Sequence, residues 1–271
     1  MSPNPYFKKL FLFILISSYA TYYARAQSLE FGLRGDISSA WFLNSNILKT
    51  GTDQSYGFAL SHNFGLHSAI NITHNYGIEL EILDARLSEG YSGEFKSAGE
   101  FPGNGIGYQA GQSYSATTTM HVIQIPVLFR YEHDLTGKYF EAGLGYELIN
   151  SATYSATYSN PSFSVNNTIT NKFPNSDFVA IVGMGWDKRL THDSKFYFNI
   201  GFRITYGIFD LGGVDGHGQD FTGPKSVILY ELPSPYYSAI HTTHLLDLSI
   251  NAGLFYRFFP HVLVHNRKIV F

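Results

Sequence analysis

The chain has 271 residues, of which 17% are aromatic and only 14% are charged, and its formal net charge is −3 at pH 7. An average soluble domain carries about 25% charged residues, so this chain is poor in charge. The mean hydropathy of −0.06 argues against a helical membrane protein, which needs apolar runs of about 20 residues, and the small negative charge gives no reason to expect nucleic acid.

The N-terminal segment has the pattern of an export signal. A basic pair, Lys8-Lys9, precedes the apolar run LFLFILI at Leu10–Ile16, and Ala24-Arg25-Ala26 is a small-x-small cleavage pattern. The apolar run is too short to span a bilayer comfortably, which argues against a retained membrane anchor. We therefore expect a secretory signal peptide at residues 1–26, cleaved after Ala26.

Eight segments with alternating apolar and polar residues follow the signal. In Lys195–Gly207, KFYFNIGFRITYG, the even-numbered residues are all aromatic or branched aliphatic, and most odd-numbered ones are polar or glycine. Successive side chains of a strand point to opposite faces, so the pattern predicts one apolar and one polar face. The predicted strands are Leu29–Phe42, Tyr56–Thr73, Tyr76–Arg86, His121–Glu132, Lys138–Ile149, Asp177–Arg189, Lys195–Phe209 and His244–Phe258.

The connections between these strands alternate strictly between long and short. The short ones are His74-Asn75, His133–Gly137 and Leu190–Ser194, and the long ones are Leu43–Ser55, Leu87–Met120, Asn150–Ser176 and Asp210–Thr243. Short periplasmic turns, long extracellular loops and an even strand number are typical of bacterial outer-membrane barrels, whereas a β-sandwich, the alternative, gives no reason for such sorting.

We therefore predict an all-β fold, a closed antiparallel transmembrane β-barrel integral to the bacterial outer membrane. The barrel is expected over residues 27–259, followed by a C-terminal tail at residues 260–271. Eight strands are predicted, and ten is the alternative if Ser226–Leu232 contributes an added hairpin.

The polar faces predict a filled lumen. An eight-stranded barrel is only wide enough for side chains to fill its interior, and buried charges persist only when they are paired and hydrogen-bonded. Acids and bases recur on neighbouring strands, which indicates an interlocking polar core and not a conduit. The residues predicted to form this lumen network are Glu30, Arg34, Asp36, Glu79, Glu81, Arg130, Glu132, Glu141, Glu147, Asp187, Lys195, Arg203, Asp247 and Arg257.

Aromatic residues cluster at both ends of the predicted strands, where barrels carry girdles at the two membrane interfaces. The predicted periplasmic girdle contains Tyr76, Tyr131, Phe140, Trp186, Phe196, Tyr256 and Phe258. The predicted extracellular girdle contains Trp41, Phe42, Tyr56, Phe58, Tyr206 and Phe209.

Two groups of residues carry side chains that could support chemistry. Asp215, His217 and Asp220 lie in a glycine-rich loop and offer oxygen and imidazole ligands for a cation, with a polar loop tip as the alternative. Ser61 and His62 offer the residue types of a lipid-modifying enzyme, but no motif fixes an acid beside them. Without cysteine there is no thiolate metal site, and we expect no cofactor, no catalytic residue and no enzyme activity.

The long loops carry tyrosines among Gly, Ser and Asn, which is the composition of surfaces that bind proteins or glycans. These residues are Tyr108, Tyr114, Tyr154, Tyr158, Tyr230, Tyr236 and Tyr237. Packing of the loops over the barrel mouth is the alternative explanation.

Four segments resemble the PorT-like outer-membrane β-barrel domain family: FGLRGDISSAWF, IQIPVLFRYEHD, FEAGLGYELI and HLLDLSINAGLFYRF. In that family the proline of the fourth strand, here Pro126, and the glycine-rich fifth strand recur in this order. The likeness covers most of residues 27–259. It implies an eight-stranded outer-membrane barrel without established catalytic residues, and one namesake group contributes to protein secretion across the outer membrane.

Two functions are therefore expected, with a third as a distant alternative. The first is a structural or assembly barrel with an envelope or secretion protein as partner, and the second is a surface receptor or adhesin-like binder acting through its long loops. An outer-membrane lipid-modifying enzyme is the distant alternative. The expected surroundings are outer-membrane lipid, with no nucleic acid and no obligate small-molecule substrate.

Overall fold

The computed structural model describes residues 28–44, 54–73, 75–94, 99–100, 107–108, 110–133, 136–159, 162–170, 173–190, 195–211 and 242–258. The strands are β1 (Ser28–Asn44), β2 (Gln54–Gly57), β3 (Ser61–Asn71), β4 (Tyr76–Glu94), β5 (Gly99–Glu100), β6 (Gly107–Tyr108), β7 (Ser113–His133), β8 (Lys138–Ser159), β9 (Ser162–Thr168), β10 (Ser176–Arg189), β11 (Phe196–Gly207) and β12 (Thr243–Phe258). In the described part of the chain no helix is long and apolar enough to span a membrane. The predicted signal peptide, the predicted tail and Ser226–Leu232 lie outside the described residues.

Eight of the strands pair in an unbroken antiparallel ring. The order is β1, β3, β4, β7, β8, β10, β11 and β12, and β12 pairs again with β1. The closing pair runs from Leu29 opposite Phe258 to Asn44 opposite Thr243. A peptide group left unpaired in lipid costs several kcal/mol, and closure leaves no such edge on the ring. The predicted antiparallel barrel is confirmed.

The two faces of each ring strand follow the alternation in the sequence. On β11 the six outward side chains from Phe196 to Tyr206 are each between 36% and 49% exposed. Between them, Asn199, Arg203 and Thr205 point inward and are at most 5% exposed. A continuous exposed apolar band is unfavourable in water and suits the acyl chains of a bilayer, so the outward face is the lipid face.

Three ring strands continue at least eight residues past the ends predicted from the sequence. β4 runs to Glu94 instead of Arg86, β7 begins at Ser113 instead of His121, and β8 ends at Ser159. The composition of these stretches suggests loops, but threonine and tyrosine also favour strands when a neighbouring strand is available to pair.

β2 pairs with β4 and β9 pairs with β8, so a five-stranded sheet of β2, β4, β7, β8 and β9 stands beyond the extracellular end of the ring. We call this sheet the extracellular extension. The complete sheet therefore has ten strands, eight of them in the ring, and the two additional strands are β2 and β9.

Two irregularities lie at the base of the extracellular extension. The predicted strand Tyr56–Thr73 is interrupted at residues 58–60 and forms two strands, β2 and β3. The register between β7 and β8 shifts at a bulge that leaves Asn150 as an extra residue. A bulge moves the following side chains to the opposite face, so the buried positions of β8 are odd-numbered up to Ile149 and even-numbered from Ala152.

The predicted periplasmic girdle faces outward in full. Its exposed members are Tyr76, Tyr131, Phe140, Trp186, Phe196, Tyr256 and Phe258. At the other end Phe58, Tyr206 and Phe209 are also exposed. The assignment of Phe42 to the extracellular girdle is wrong, because its place in the alternation of β1 turns it inward. It is fully buried and packs edge-to-face on Phe173, with ring centroids 6.2 Å apart.

Glycine gives the lumen the space that its side chains need. A Cβ atom on Gly183 would lie 2.6 Å from Glu141 Oε1, and one on Gly201 would overlap the hydroxyl of Tyr139. In the predicted turn His133–Gly137, Gly137 adopts a φ of 63° and its amide donates to the carbonyl of His133 at 3.0 Å. That left-handed conformation favours glycine over other residues.

Replacing Ile200 by arginine tests the assignment of the faces. Ile200 is 44% exposed on the lipid face of β11, where a charge near the bilayer midplane costs about 2–4 kcal/mol. We expect Ile200→Arg to fold poorly into lipid vesicles, whereas the volume-conserving control Ile200→Leu folds nearly as wild type. The measurement is the folded fraction from the faster gel migration of the unheated barrel. An arginine variant that folds as well as wild type would contradict the assignment.

Candidate functional site in the barrel lumen

Inward side chains from seven ring strands meet in the periplasmic half of the lumen. Strand alternation puts them there: Glu79 and Glu81 on β4 point inward, while Leu80 between them is exposed on the lipid face. We call this cluster of six carboxylates and four guanidinium groups the ionic tier. Its members are Glu30, Arg34, Glu79, Glu81, Arg130, Glu132, Glu141, Asp187, Arg203 and Arg257.

Arg34 of β1 and Arg203 of β11 share the same two carboxylates, on β4 and β8, at the centre of the ionic tier. Arg203 donates from Nε to Glu141 Oε1 at 2.8 Å and from its terminal nitrogens to both oxygens of Glu81 at 2.9 and 3.3 Å. Arg34 reaches Glu81 at 2.8 Å and Glu141 at 3.2 Å. Charge-assisted bonds to a planar guanidinium are strong and directional, so this four-residue cluster ties β1, β4, β8 and β11 together.

A second cluster lies nearer the periplasmic end. Arg130 donates to Glu79 Oε1 at 2.6 Å and to Asp187, and its guanidinium stacks on the ring of Tyr139, 4.0 Å from the centroid. Arg257 in turn contacts three carboxylates on three other strands.

Arg257 donates to Glu30 Oε1 at 2.6 Å and to Glu132 Oε2 at 3.0 Å, and it lies 3.5 Å from Asp187 Oδ2. Its guanidinium also stacks on the ring of Tyr197, 4.3 Å from the centroid. Each arginine therefore serves several acids, which is how four guanidinium groups pair six carboxylates.

His67 of β3 lies beside the ionic tier and is absent from the predicted network. Its inward place on β3 brings Nδ1 within 3.4 Å of Glu81 Oε1 and Nε2 within 3.9 Å of Glu30 Oε2. His67, Glu79 and Glu81 offer ligand atoms within 4.8 Å of one another, a donor set that a metal ion can use. Arg34 and Arg130 already bind these carboxylates, so guanidinium groups supply the positive charge there.

The extracellular half of the lumen is apolar, whereas the sequence predicts a polar core and no apolar one. We call it the apolar tier, and its buried side chains include Phe42, Leu87, Met120, Val122, Ile149, Val179, Ile181, Leu211 and Leu245. Close packing of these groups removes apolar surface from water at about 25 cal/mol per Å². The lumen is thus filled by ion pairs in its periplasmic half and by apolar side chains in its extracellular half.

Three predicted network residues are buried in the lumen outside the arginine clusters. Asp36 accepts from Asn63 at 2.8 Å, and Glu147 accepts from Gln124 at 2.7 Å. Asp247 is 4% exposed and one of its carboxylate oxygens has no hydrogen-bond partner among the described residues. Amide donors take the place of arginine for the first two.

The assignment of Lys195 to the lumen is wrong. Lys195 is exposed just before β11, and its ammonium lies 6.0 Å from the ring centroid of Tyr256 and 5.9 Å from that of Phe258. At the end of a strand a long aliphatic stem can carry the charge out of the bore to the interface, over aromatic rings of the periplasmic girdle.

Ser61 and His62 do not form a common site. Ser61 points inward, and its hydroxyl accepts from the amide of Ser88 at 2.8 Å, whereas His62 is exposed on the outward face. Adjacent strand residues cannot share a site across the sheet. Asp215, His217 and Asp220 lie outside the described residues.

A buried carboxyl group of the extracellular extension was missed by sequence reasoning. Glu89 is fully buried, three residues beyond the exposed Arg86 on β4, and the backbone of Phe42 is the polar group that approaches its carboxyl. Burial raises the pKa of the Glu89 carboxyl well above its usual range, because an apolar surrounding disfavours the charged form. Glu89 is therefore held in its neutral form over a wider pH range than an exposed glutamate.

Comparison with known proteins finds one family model that matches the chain. The model of the family described as outer membrane protein beta-barrel domain matches residues 25–212, which span β1 to β11. No curated protein matches the chain in sequence.

Three solved structures are similar to the chain at low sequence identity. Ail, the attachment invasion locus protein of Yersinia pestis, is 9% identical, with 85% of this chain and 99% of Ail covered and a TM-score of 0.33. OprG from Pseudomonas aeruginosa is 11% identical, with 87% and 97% covered and a TM-score of 0.36. Neisserial surface protein A is 11% identical, with 82% and 95% covered and a TM-score of 0.30.

Removing one arginine from the centre of the ionic tier should destabilise the barrel severely. Arg203→Gln leaves Glu81 and Glu141 short of a partner, and breaking a buried pair costs roughly 3–5 kcal/mol of the free energy of unfolding. The matched control is Arg189→Gln at the exposed periplasmic end of β10, which should cost about 1 kcal/mol or less. Urea titration of the barrels in lipid vesicles measures both, and equal losses would show that the ionic tier contributes no special stability.

Glu89 should make stability depend on pH. The unfolded chain releases the glutamate proton near pH 4.3, whereas the folded chain keeps it to higher pH, so the free energy of unfolding falls as pH rises from about 4.3 through the folded pKa. We expect Glu89→Gln to be more stable than wild type at pH 8, by a margin that shrinks toward pH 4. The exposed Glu94→Gln is the control. A margin that stays constant with pH in urea titrations would refute the buried-carboxyl account.

Proposed function

This chain belongs to the outer membrane protein beta-barrel domain family, and we propose that it serves as a non-enzymatic, side-chain-filled barrel with a structural or assembly role in the cell envelope. It is an integral outer-membrane protein. One observation carries the proposal: buried arginine–carboxylate pairs cross the lumen from wall to wall.

The energetics of the ionic tier support a barrel that conducts little. Arg34 and Arg203 are each at most 3% exposed and bind Glu81 and Glu141, which are fully buried. A conduit through this tier requires these pairs to separate, and leaving such charges unpaired is costly in a low-dielectric interior. The apolar tier above adds a second layer that does not solvate ions.

We further propose that the chain is akin to the PorT-like barrels within its family. The segments that carry this likeness include FGLRGDISSAWF and HLLDLSINAGLFYRF, which contribute to β1 and β12, the pair that closes the ring. Pro126 stands opposite Gly145 on the glycine-rich strand β8. This kinship favours assembly or secretion as the setting, with an envelope protein as partner. Capture of a secretion or envelope component by the tagged protein from outer membranes supports this role, and reproducible capture of none counts against it.

A surface binder is the second candidate, and the exposed hydroxyl side chains of the extracellular extension favour it. Binding through the loop tyrosines is less well supported, because Tyr114 and Tyr154 are 6% and 2% exposed and pack into the apolar tier. For these two residues packing over the barrel mouth is the role that the contacts support. The side chains of the other five predicted tyrosines lie outside the described residues.

The filled lumen leads to a conductance test. We expect the reconstituted wild-type barrel to give no steady porin-sized conductance in planar bilayers, since eight strands leave a bore that side chains fill. A 16-stranded porin in the same bilayer is the positive control. Stable openings comparable to that porin would refute the sealed barrel.

A further inference from the structure

A row of basic side chains crosses three neighbouring strands near the extracellular end of the lipid face, and on the β3 side the exposed Leu60 and Phe58 follow it. In the register of the paired strands, His62 of β3 lies opposite Arg86 of β4, and Arg86 lies opposite His121 of β7. All three are exposed and point outward. Neighbouring strands are about 4.8 Å apart, so the row presents one permanent positive charge and imidazole N–H groups over roughly 10 Å.

The charges around this basic row are few. Asp84, one outward position nearer the membrane centre, is the closest carboxylate on the same face, and Glu94 stands at the far end of β4. Among the described residues of β3, β4 and β7, the other outward basic side chain is His133, at the periplasmic end.

Beyond the basic row, the outward face of the extracellular extension carries rows of mostly hydroxyl side chains. We call each row, which runs across the strands through register partners, a hydroxyl rank. One rank crosses all five strands of the extracellular extension through the register partners Ser55, Ser92, Ser115, Thr157 and Ser164. Each of these side chains is exposed. Hydroxyl pairs within the rank lie 3.3 Å apart between Ser55 and Ser92 and 3.5 Å apart between Thr157 and Ser164. A second rank, nearer the basic row, contains the hydroxyl residues Thr117 and Ser155 and the amide residue Asn166.

An apolar groove lies on the other side of the basic row. It has a volume of about 510 Å³ and opens on the outward surface of β1, β3 and β4, where Phe31, Leu33, Leu66, Leu80 and Ile82 line it. Leu66 and Ile82 are register partners four residues below His62 and Arg86, a separation of about 13 Å along the strands. Groove, basic row and hydroxyl ranks therefore follow one another along a single outward face.

We propose that this face binds a phosphorylated glycolipid of the outer leaflet. Its acyl chain lies in the apolar groove, its phosphate meets the basic row, and its saccharide meets the hydroxyl ranks. Anionic headgroups are attracted to basic side chains at the membrane surface, and hydroxyl groups both donate and accept the bonds that sugars offer. A protein partner fits less well, because protein interfaces depend on large aromatic anchors and the ranks named above contain none.

The test compares matched variants in vesicles of phosphatidylcholine that contain lipopolysaccharide as the probe. The triple variant His62→Gln, Arg86→Gln and His121→Gln should bind the glycolipid about tenfold more weakly than wild type, since basic groups at a membrane surface each contribute to anionic lipid binding. The control His133→Gln, Lys138→Gln and Lys188→Gln removes exposed basic groups from the periplasmic end and should bind as wild type. Gel migration of unheated samples checks folding, and Arg86→Gln alone replaces the triple variant if that variant does not fold.

A second arm separates the saccharide contact of the ligand from its phosphate contact. The variant Ser115→Ala, Ser155→Ala and Thr157→Ala should lose affinity for glycolipid with its saccharide and bind saccharide-free glycolipid as wild type does. Inorganic phosphate should fail to release the bound glycolipid, because it reaches only the basic row. Equal binding by wild type and both basic-row variants, equal loss in the periplasmic control, or release by inorganic phosphate would each overturn the proposal. The site lies on the outer surface, so a conducting lumen leaves this test unaffected.

Discussion

Backbone hydrogen bonding in hydrocarbon is the constraint from which the rest of this structure follows. No water is available in the bilayer core to satisfy a free amide or carbonyl, so the sheet must return to its first strand. The long ladder between β1 and β12 does this. A ring of eight strands then leaves a bore about as wide as the side chains that line it. The inward side chains therefore have to pack against one another across the lumen.

The inward residues fill the lumen in two ways. In the periplasmic half, each arginine bonds to carboxylates from several strands, as Arg203 does with Glu81 and Glu141. Small residues such as Gly183 and Gly201 make room for these long side chains. In the extracellular half, Phe42 and its neighbours replace ions by hydrocarbon. A barrel filled in this way gains rigidity from its core and leaves its outer surface to interact with other molecules.

The outer surface is ordered along the membrane normal. Aromatic rings stand at the periplasmic end, aliphatic and aromatic side chains cover the middle, and the row of His62, Arg86 and His121 lies near the extracellular end of the lipid face. Beyond it, three ring strands continue as a sheet whose outward face is dominated by hydroxyl groups. The order matches the sequence of chemistry that a glycolipid leaflet presents, from acyl chains through phosphate to sugar.

The sequence by itself determined the barrel, its faces and most of its lumen residues, because a strand has a period of two and membrane barrels sort their loops by length. It did not determine the partners within the lumen. Arg34 meets Glu141 across 107 residues, and Arg257 meets Glu30 across 227, so only the closed ring decides these pairs. The extent of β4, β7 and β8 and the position of Lys195 were likewise decided by tertiary structure. Strand pairing extends Ser- and Thr-rich segments that have no strong secondary-structure preference alone. A long charged side chain at the end of a strand can turn toward water, whichever face the strand alternation assigns to it.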